Sequence, residues 1–177
     1  MKKNRKGFTL IELVIVTVIL GIMASMAIPF YLKSVETSKA GDAVAIGHML
    51  ANSYRMYLVD NPAAGARLTG AITDACNTGA CNTGNPPANY GDTTGCRLVR
   101  CNYIAKQSWS ASAYNFTVNP GVPNIVTVAR KTGVSPGTNT NGYNTWGYTF
   151  SDMSTGGAGC TATGGSGTLI VPPCPNF

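Results

Sequence analysis

A single carboxylate stands inside a long apolar run near the start of the chain. Glu12 is the one charged side chain between Phe8 and Lys33, and residues 13–28 are almost entirely Leu, Val, Ile, Met and Ala. A carboxylate placed in hydrocarbon costs on the order of a few kcal/mol or more, so it usually has a specific partner. Glu12 is therefore a candidate for ion pairing in an apolar setting.

The run around Glu12 has the length and composition of a membrane-spanning helix. At a rise of about 1.5 Å per residue, residues 8–28 would cross roughly 30 Å of hydrocarbon. Residues 1–7 are short and basic and should stay cytoplasmic, which places the C-terminal bulk outside. A secretory signal peptide cut near Ser25-Met26-Ala27 and a plain membrane anchor are alternatives. Neither of them gains anything from carrying Glu12.

Cysteine is the second residue type whose spacing could carry chemistry. An even number of cysteines in a chain that looks exported favours disulfides. Metal binding is the rival interpretation, but the spacing is C-x4-C rather than C-x2-C, and the one histidine, His48, is far away. Pairing within each cluster and crossed pairing between the first two clusters both stay open. The six candidates are Cys76, Cys81, Cys96, Cys101, Cys160 and Cys174.

Composition argues against an enzyme and against a nucleic-acid-binding protein. Only 11% of residues are charged, and four of the net +6 charges lie in residues 1–7, so the rest of the chain is nearly balanced. No basic stripe with interleaved aromatics is present. No catalytic constellation, phosphate loop or cofactor motif appears, and we expect no cofactor and no metal.

The remaining pattern predicts an α+β fold. Residues 33–60 form an amphipathic helix whose apolar face carries Ala43, Leu50 and Tyr54 at three- and four-residue spacings. Pro29 predicts a kink in a continuous helix, with a break and a new start near Ser34 as the alternative. Residues 61–177 are rich in turns and staple-forming cysteines, and we expect an antiparallel sheet packed on the helix. Its strand candidates are residues 114–118, 125–129, 146–150 and 168–171.

The N-terminal third resembles a known family. Gly7-Phe8-Thr9-Leu10-Ile11-Glu12, between a short basic leader and an apolar run, looks like the prepilin motif of type IV pilins and type II secretion pseudopilins. The resemblance implies removal of residues 1–7 by a prepilin peptidase that cuts between Gly7 and Phe8, and N-methylation of Phe8. It also implies that residues 8–32 are a membrane and filament-core helix. Phe8, Thr9 and Glu12 would then serve assembly, with Glu12 of one subunit pairing with the Phe8 amine of a neighbour.

A pilin-like fold and a filament of identical subunits follow from that resemblance as expectations. The precursor would lie in the inner membrane, and an assembly platform and an ATPase would build an extracellular filament. Cys160 would pair with Cys174, as in the C-terminal loop of many pilins. A type II secretion pseudopilin, periplasmic in that case, and a minor pilin are related alternatives. An anchored or secreted binding module, with Trp109 and Trp146 as platforms for carbohydrate, is the alternative from another class.

Overall fold

The computed structural model describes residues 7–62, 67–81, 93–121, 123–133, 142–152, 159–165 and 169–174. The chain divides into two units, Met1–Thr37 and Ser38–Phe177. A single helix, α1, runs from Leu10 to Asp60 and belongs to both units. The described residues of the second unit also form five strands, two 3-10 helices and a second short α-helix. The expected α+β arrangement, a long N-terminal helix packed on a small antiparallel sheet, is confirmed.

Helix α1 continues through Pro29 without interruption. Proline inside a helix removes one backbone hydrogen bond, and the turns on both sides contain strong helix formers such as Met26, Ala27 and Leu32. Continuity through Pro29 is therefore confirmed, and no new start occurs near Ser34. A kink at Pro29 stays a prediction.

The part of α1 in the second unit buries one face in the core. Ala43, Leu50, Tyr54 and Tyr57 are fully buried, and Ile46 and Leu58 pack against the same core. Tyr54 also ties the helix to the segment before the sheet, because its hydroxyl donates to Leu68 O (3.3 Å) and accepts from Leu68 N (2.9 Å). The amphipathic prediction for this half of the helix is confirmed.

The sheet is an antiparallel meander in the order β1-β2-β3-β4-β5. Side chains alternate along β2, with Tyr114, Phe116 and Val118 buried and Asn115 exposed, because successive residues of a strand point to opposite faces. The buried face covers the helix face described above. The strands are β1 Gly70–Ile72, β2 Tyr114–Val118, β3 Asn124–Arg130, β4 Gly147–Ser151 and β5 Cys160–Thr163.

Three of the four strand predictions are confirmed, as β2, β3 and β4. The fourth is wrong: residues 169–171 lie outside the named strands, and Thr168 lies outside the described residues. Leu169 is a single bridge residue, and its carbonyl oxygen accepts from Trp146 Nε1, just before β4 (3.2 Å). The carbonyl oxygen of Pro172, the residue after this segment, accepts from the Tyr148 hydroxyl in β4 (3.2 Å). The last named strand is β5, which begins at Cys160.

Two short helices lie between β1 and β2. A 3-10 helix, Asp74–Asn77, and α2, Cys96–Arg100, are joined by the disulfide Cys76–Cys96. A second disulfide, Cys81–Cys101, joins the segments that follow the two helices, so the pairing between the first two clusters is crossed. Cys160 is bonded to Cys174. All six cysteines therefore form disulfides in this structure, and the segment gains the staples that its few apolar residues require.

Candidate functional site

Thr9 and Glu12 close the N-terminal end of helix α1 with reciprocal hydrogen bonds. The backbone N–H of Thr9 donates to Glu12 Oε2 (2.9 Å), and the Thr9 hydroxyl donates to the same oxygen (2.7 Å). The backbone N–H of Glu12 donates to Thr9 Oγ1 at 3.4 Å. This is a capping box, in which two donors that a helix start leaves unpaired are satisfied reciprocally.

The capping box gives Glu12 a partner within its own chain. The negative charge of Glu12 lies in the first turn of α1, where it also interacts favourably with the helix dipole. The sequence analysis counted Thr9 among the assembly residues only because the motif contains it. Its direct bond to the carboxylate was missed, although Ser or Thr followed three residues later by Glu before an apolar run is a recognisable signal.

Gly7 and Phe8 precede the helix and are exposed. Phe8 is 84% exposed, and a Cβ added at Gly7 would meet no atom within 4 Å. Helix α1 begins only at Leu10, so the peptide bond between Gly7 and Phe8 is free of helical hydrogen bonding. An exposed, non-helical peptide bond is the kind that a peptidase can reach.

The apolar part of α1 in the first unit is uncovered. Its large apolar side chains from Leu10 to Tyr31 are between 45% and 81% exposed. This helix is long and apolar enough to cross a membrane, with a mean hydropathy of 2.5 in its most apolar window, none of which is buried. An apolar surface of this extent indicates burial in a membrane or against other protein.

The two tryptophans are core residues. Trp109 is 3% exposed and Trp146 is 1% exposed. Trp109 packs edge to face on Phe116, and Trp146 on Tyr143 in the same way. Neither indole ring presents a face on which a sugar could stack, so the proposed carbohydrate platforms are wrong.

His48 is half-buried rather than a simple surface residue. Its ring packs edge to face against Phe150, with the centroids 4.9 Å apart. Burial, with a smaller contribution from the positive charge of Arg55, lowers the pKa of His48 below its ordinary value. Within the described ranges, no group of three or more His, Cys, Asp or Glu side chains could hold a metal ion.

Asp74 and Lys131 clamp one loop from two sides. The Asp74 carboxylate accepts from the backbone N–H groups of Trp109 (2.6 Å) and Ser110 (3.3 Å), while Lys131 Nζ donates to the carbonyl oxygens of the same residues (3.2 and 3.1 Å). The Ser110 side-chain hydrogen bond is the largest of several contacts that lower the pKa of Asp74.

Comparison with known proteins places the similarity at the N-terminal end. The family model of the prokaryotic N-terminal methylation motif matches residues 2–28. The chain is 42% identical over 66 residues to a type IV major fimbrial protein FimA of Dichelobacter nodosus, covering 37% of this chain and 38% of that protein. It is 40% identical over 82 residues to the type II secretion system core protein G of Vibrio cholerae, covering 44% of this chain and 56% of that protein.

These relatives are thus fimbrial and secretion-system proteins, and the chain spans between about a third and a little over half of their length. The core protein G of Aeromonas hydrophila matches in the same way, with 40% identity over 60 residues and 42% of its length covered. No solved structure matches the chain significantly.

Proposed function

We propose that this chain is the precursor of a structural subunit of a type IV pilus. It is cut after Gly7, N-methylated at Phe8 and polymerised through its N-terminal helix. The observation that carries the proposal is the methylation motif over residues 2–28, which begins a helix with an uncovered apolar surface and one capped carboxylate.

The apolar helix lies first in the membrane and later in the filament. In water its exposed side chains would cost roughly 25 cal/mol for each Å² of apolar surface. The hydrocarbon of the inner membrane covers that surface in the precursor, and residues 1–7 stay on the cytoplasmic side. In the filament, the helices of other copies replace the lipid. Residues 33–60 continue the helix into the domain formed by residues 61–177, which lies outside.

Glu12 changes partner when the subunit leaves the membrane. Cleavage after Gly7 creates a cationic amine on Phe8, the residue before Thr9. A carboxylate and an ammonium group are each costly in an apolar setting, and pairing between neighbouring copies neutralises both. A wrong axial register leaves both charges unpaired, so the pair between Glu12 and a neighbour's Phe8 sets the stagger. The Thr9 bonds hold the Glu12 carboxylate until that partner arrives.

The proposal implies a set of partners. A prepilin peptidase removes the leader, the new Phe8 amine is methylated, and a platform protein with an ATPase drives assembly at the inner membrane. The finished filament is extracellular and consists of copies of this chain. The chain itself supplies structure rather than catalysis, in keeping with the fimbrial and secretion names of its relatives.

A pseudopilin of a type II secretion system is the second candidate. The similarity to core protein G extends over 82 residues, against 66 for the fimbrial protein. Such a subunit would carry the same processing and the same Glu12 chemistry, but its filament would stay periplasmic. A minor pilin would share the processing and be present in few copies.

The assembly claim is tested with Glu12→Leu in the full chain, with Ser25→Ala as the matched control in the same helix. The Ser25 hydroxyl donates to Ile22 O within its own turn (2.7 Å), so its loss should leave assembly unchanged. Breaking a buried ion pair costs about 3–5 kcal/mol, and we expect Glu12→Leu to lower the sheared filament fraction by more than about tenfold without blocking cleavage. Normal assembly of Glu12→Leu would contradict the proposal. Wild-type filaments retained in the periplasm would favour the pseudopilin.

A further inference from the structure

The first four cysteines of the domain are paired in a crossed order. Along the chain they follow one another as Cys76, Cys81, Cys96 and Cys101. The first is bonded to the third, and the second is bonded to the fourth. The third disulfide of the chain joins the last two cysteines, which are consecutive. Two of the three native bonds therefore skip over a cysteine that lies nearer in the sequence.

Chain entropy in the unfolded protein favours the other pairing. Each crossed pair is separated by 20 positions. Cys76 lies only five positions from Cys81, and the spacing of the second cluster is the same. Because the probability that the ends of a flexible loop meet falls with the 3/2 power of its length, each consecutive pair closes roughly eight times as readily as a crossed pair. Oxidation of the unfolded chain should therefore give mainly Cys76–Cys81 and Cys96–Cys101.

A disulfide between Cys96 and Cys101 is incompatible with helix α2. Cys96 is the first residue of α2, and the N–H of Cys101 donates to Arg97 O (2.9 Å), which continues the helical bonding. Five residues of helix rise about 7.5 Å, more than the roughly 7 Å that the Cα atoms of a disulfide can span. This bond would unwind α2 and withdraw Leu98 and Val99, which are fully buried, from the core.

The two short helices cannot select the native partners before the bonds form. Helix α2 has five residues and the 3-10 helix that contains Cys76 has four, and isolated helices of this length are unstable in water. Cys76 is fully buried in the folded domain. Once its native bond has formed, a thiolate from outside cannot reach it, so disulfide exchange ends at the native pairing.

We infer that this chain matures through a disulfide-reshuffling step, in which a dithiol isomerase converts the two consecutive pairs into the two crossed pairs. The step follows oxidation by a protein disulfide oxidase, which takes up two electrons and two protons for each bond formed. The partner is thus an enzyme whose reactive thiolate attacks exposed disulfides in a compartment where disulfides persist. The inference goes beyond the proposed function and does not depend on filament assembly.

The reshuffling balances without net oxidation. The isomerase thiolate attacks Cys81 Sγ, which forms a mixed disulfide and releases the Cys76 thiolate. That thiolate attacks Cys96 Sγ, which forms the native bond between Cys76 and Cys96 and releases the Cys101 thiolate. The Cys101 thiolate then attacks Cys81 Sγ in the mixed disulfide and releases the isomerase thiolate unchanged. Two disulfides enter the sequence and two leave it.

The test starts from the full chain, reduced in urea and diluted into detergent with diamide, an oxidant that supplies no thiol. Mass spectrometry of peptides from the unreduced chain then maps the bonds. We expect consecutive pairs of the first two clusters to exceed crossed pairs by roughly eightfold. A purified dithiol isomerase should then shift the ratio to at least about tenfold in favour of the crossed pairs. Crossed pairs as the main product of diamide alone, or no shift with the isomerase, would overturn the inference.

Removal of one crossed pair provides the matched control. In the variant with Cys81→Ala and Cys101→Ala, Cys76 and Cys96 become consecutive cysteines, while their separation of 20 positions is unchanged. Diamide alone should then form this bond as completely as diamide with the isomerase. A variant that still needs the isomerase would overturn the inference, because crossing would not be the cause of the requirement. The third disulfide should form under every condition and serves as the internal reference.

Discussion

The apolar segment of residues 8–32 and the domain that follows Ser38 solve the burial problem in opposite ways. In the segment every large apolar side chain from Phe8 to Tyr31 is at least 45% exposed, and the internal bonds are those of a single helix with a capping box. In the domain most of the large apolar side chains are buried in one core between a helix face and a five-stranded sheet. Three disulfides reinforce that domain.

The contrast separates folding from assembly. The domain obtains its stability from contacts within its own chain, so changes there should alter the free energy of unfolding. Under the proposed function the segment is covered by lipid or by other copies, so matched changes there should leave the unfolding of the domain unaltered. Urea unfolding of the full chain in detergent, followed by the fluorescence of Trp109 and Trp146, measures the stability of the domain in each variant.

The largest effect is expected from the disulfides. Cys76–Cys96 and Cys81–Cys101 have the same sequence separation of 20, so the loop-closure contribution to stability is equal. Cys76 is fully buried, whereas Cys81 and Cys101 are only half-buried. Replacing the first pair by alanines should cost roughly 4–5 kcal/mol and replacing the second about 2–3 kcal/mol. Equal losses would show that burial of Cys76 contributes nothing.

Two glycines of the same helix give the sharpest comparison between the regions. A Cβ at Gly47 would overlap the ring of Phe150, whereas a Cβ at Gly21 would meet no atom within 4 Å. Gly47→Ala should therefore destabilise the domain by about 1–3 kcal/mol through overpacking, and Gly21→Ala should leave domain unfolding unchanged. A loss of domain stability in Gly21→Ala would contradict the separation.

A tyrosine pair probes the same contrast with a smaller change. Tyr54→Phe removes the hydroxyl that bonds both backbone groups of Leu68 and leaves a buried N–H without its acceptor. We expect a loss of about 1–2 kcal/mol. Tyr31, which is 68% exposed in the segment, is the matched control, and Tyr31→Phe should stay within about 0.5 kcal/mol of wild type.

The smallest effect is a pH dependence within the domain. Hydrogen bonds to Ser110 and Trp109 lower the pKa of Asp74, so its ionised form stabilises the folded chain. This contribution is complete above the ordinary pKa of about 3.9 and is lost as the pH falls through the lower folded-state value. Asp74→Asn should thus be less stable than wild type near neutral pH, and the difference should shrink in acid.

Lys131→Met removes the other half of the same clamp and serves as the control. Its loss of two hydrogen bonds to backbone carbonyls should persist in the acid range where the effect of Asp74→Asn fades. A difference between wild type and Asp74→Asn that grows as the pH falls would contradict the assigned direction of the pKa.

The separation of interacting residues along the chain explains which features could be predicted from the sequence and which could not. Period and composition predict α1 and strands β2 to β4, because each contains enough residues to show its pattern. Strands β1 and β5 have only three and four residues, too few to alternate clearly, and they form because they pair with β2 and β4. Residues 169–171 have strand composition, but only Leu169 forms a bridge, and its carbonyl oxygen accepts from the side chain of Trp146.

In the candidate site, too, short-range contacts could be predicted and long-range contacts could not. Thr9 and Glu12 are three residues apart, so their capping box could be read from the sequence. Asp74 and Trp109 are 35 residues apart, and the crossed disulfides join residues 20 apart, so neither contact could be chosen before the chain was folded. The difference between exposed Met56 and buried Leu50 could be seen only when the core face of α1 was known.

The most direct test of the central claim is the mass of the N-terminal peptide of the chain in material sheared from producing cells. The account predicts a peptide that begins at Phe8 and carries a methylated amine, which requires cleavage after Gly7 followed by assembly into a surface filament. A peptide that begins at Met1 or at Ile28 would contradict the account, because the leader or the whole apolar segment would then have a different fate.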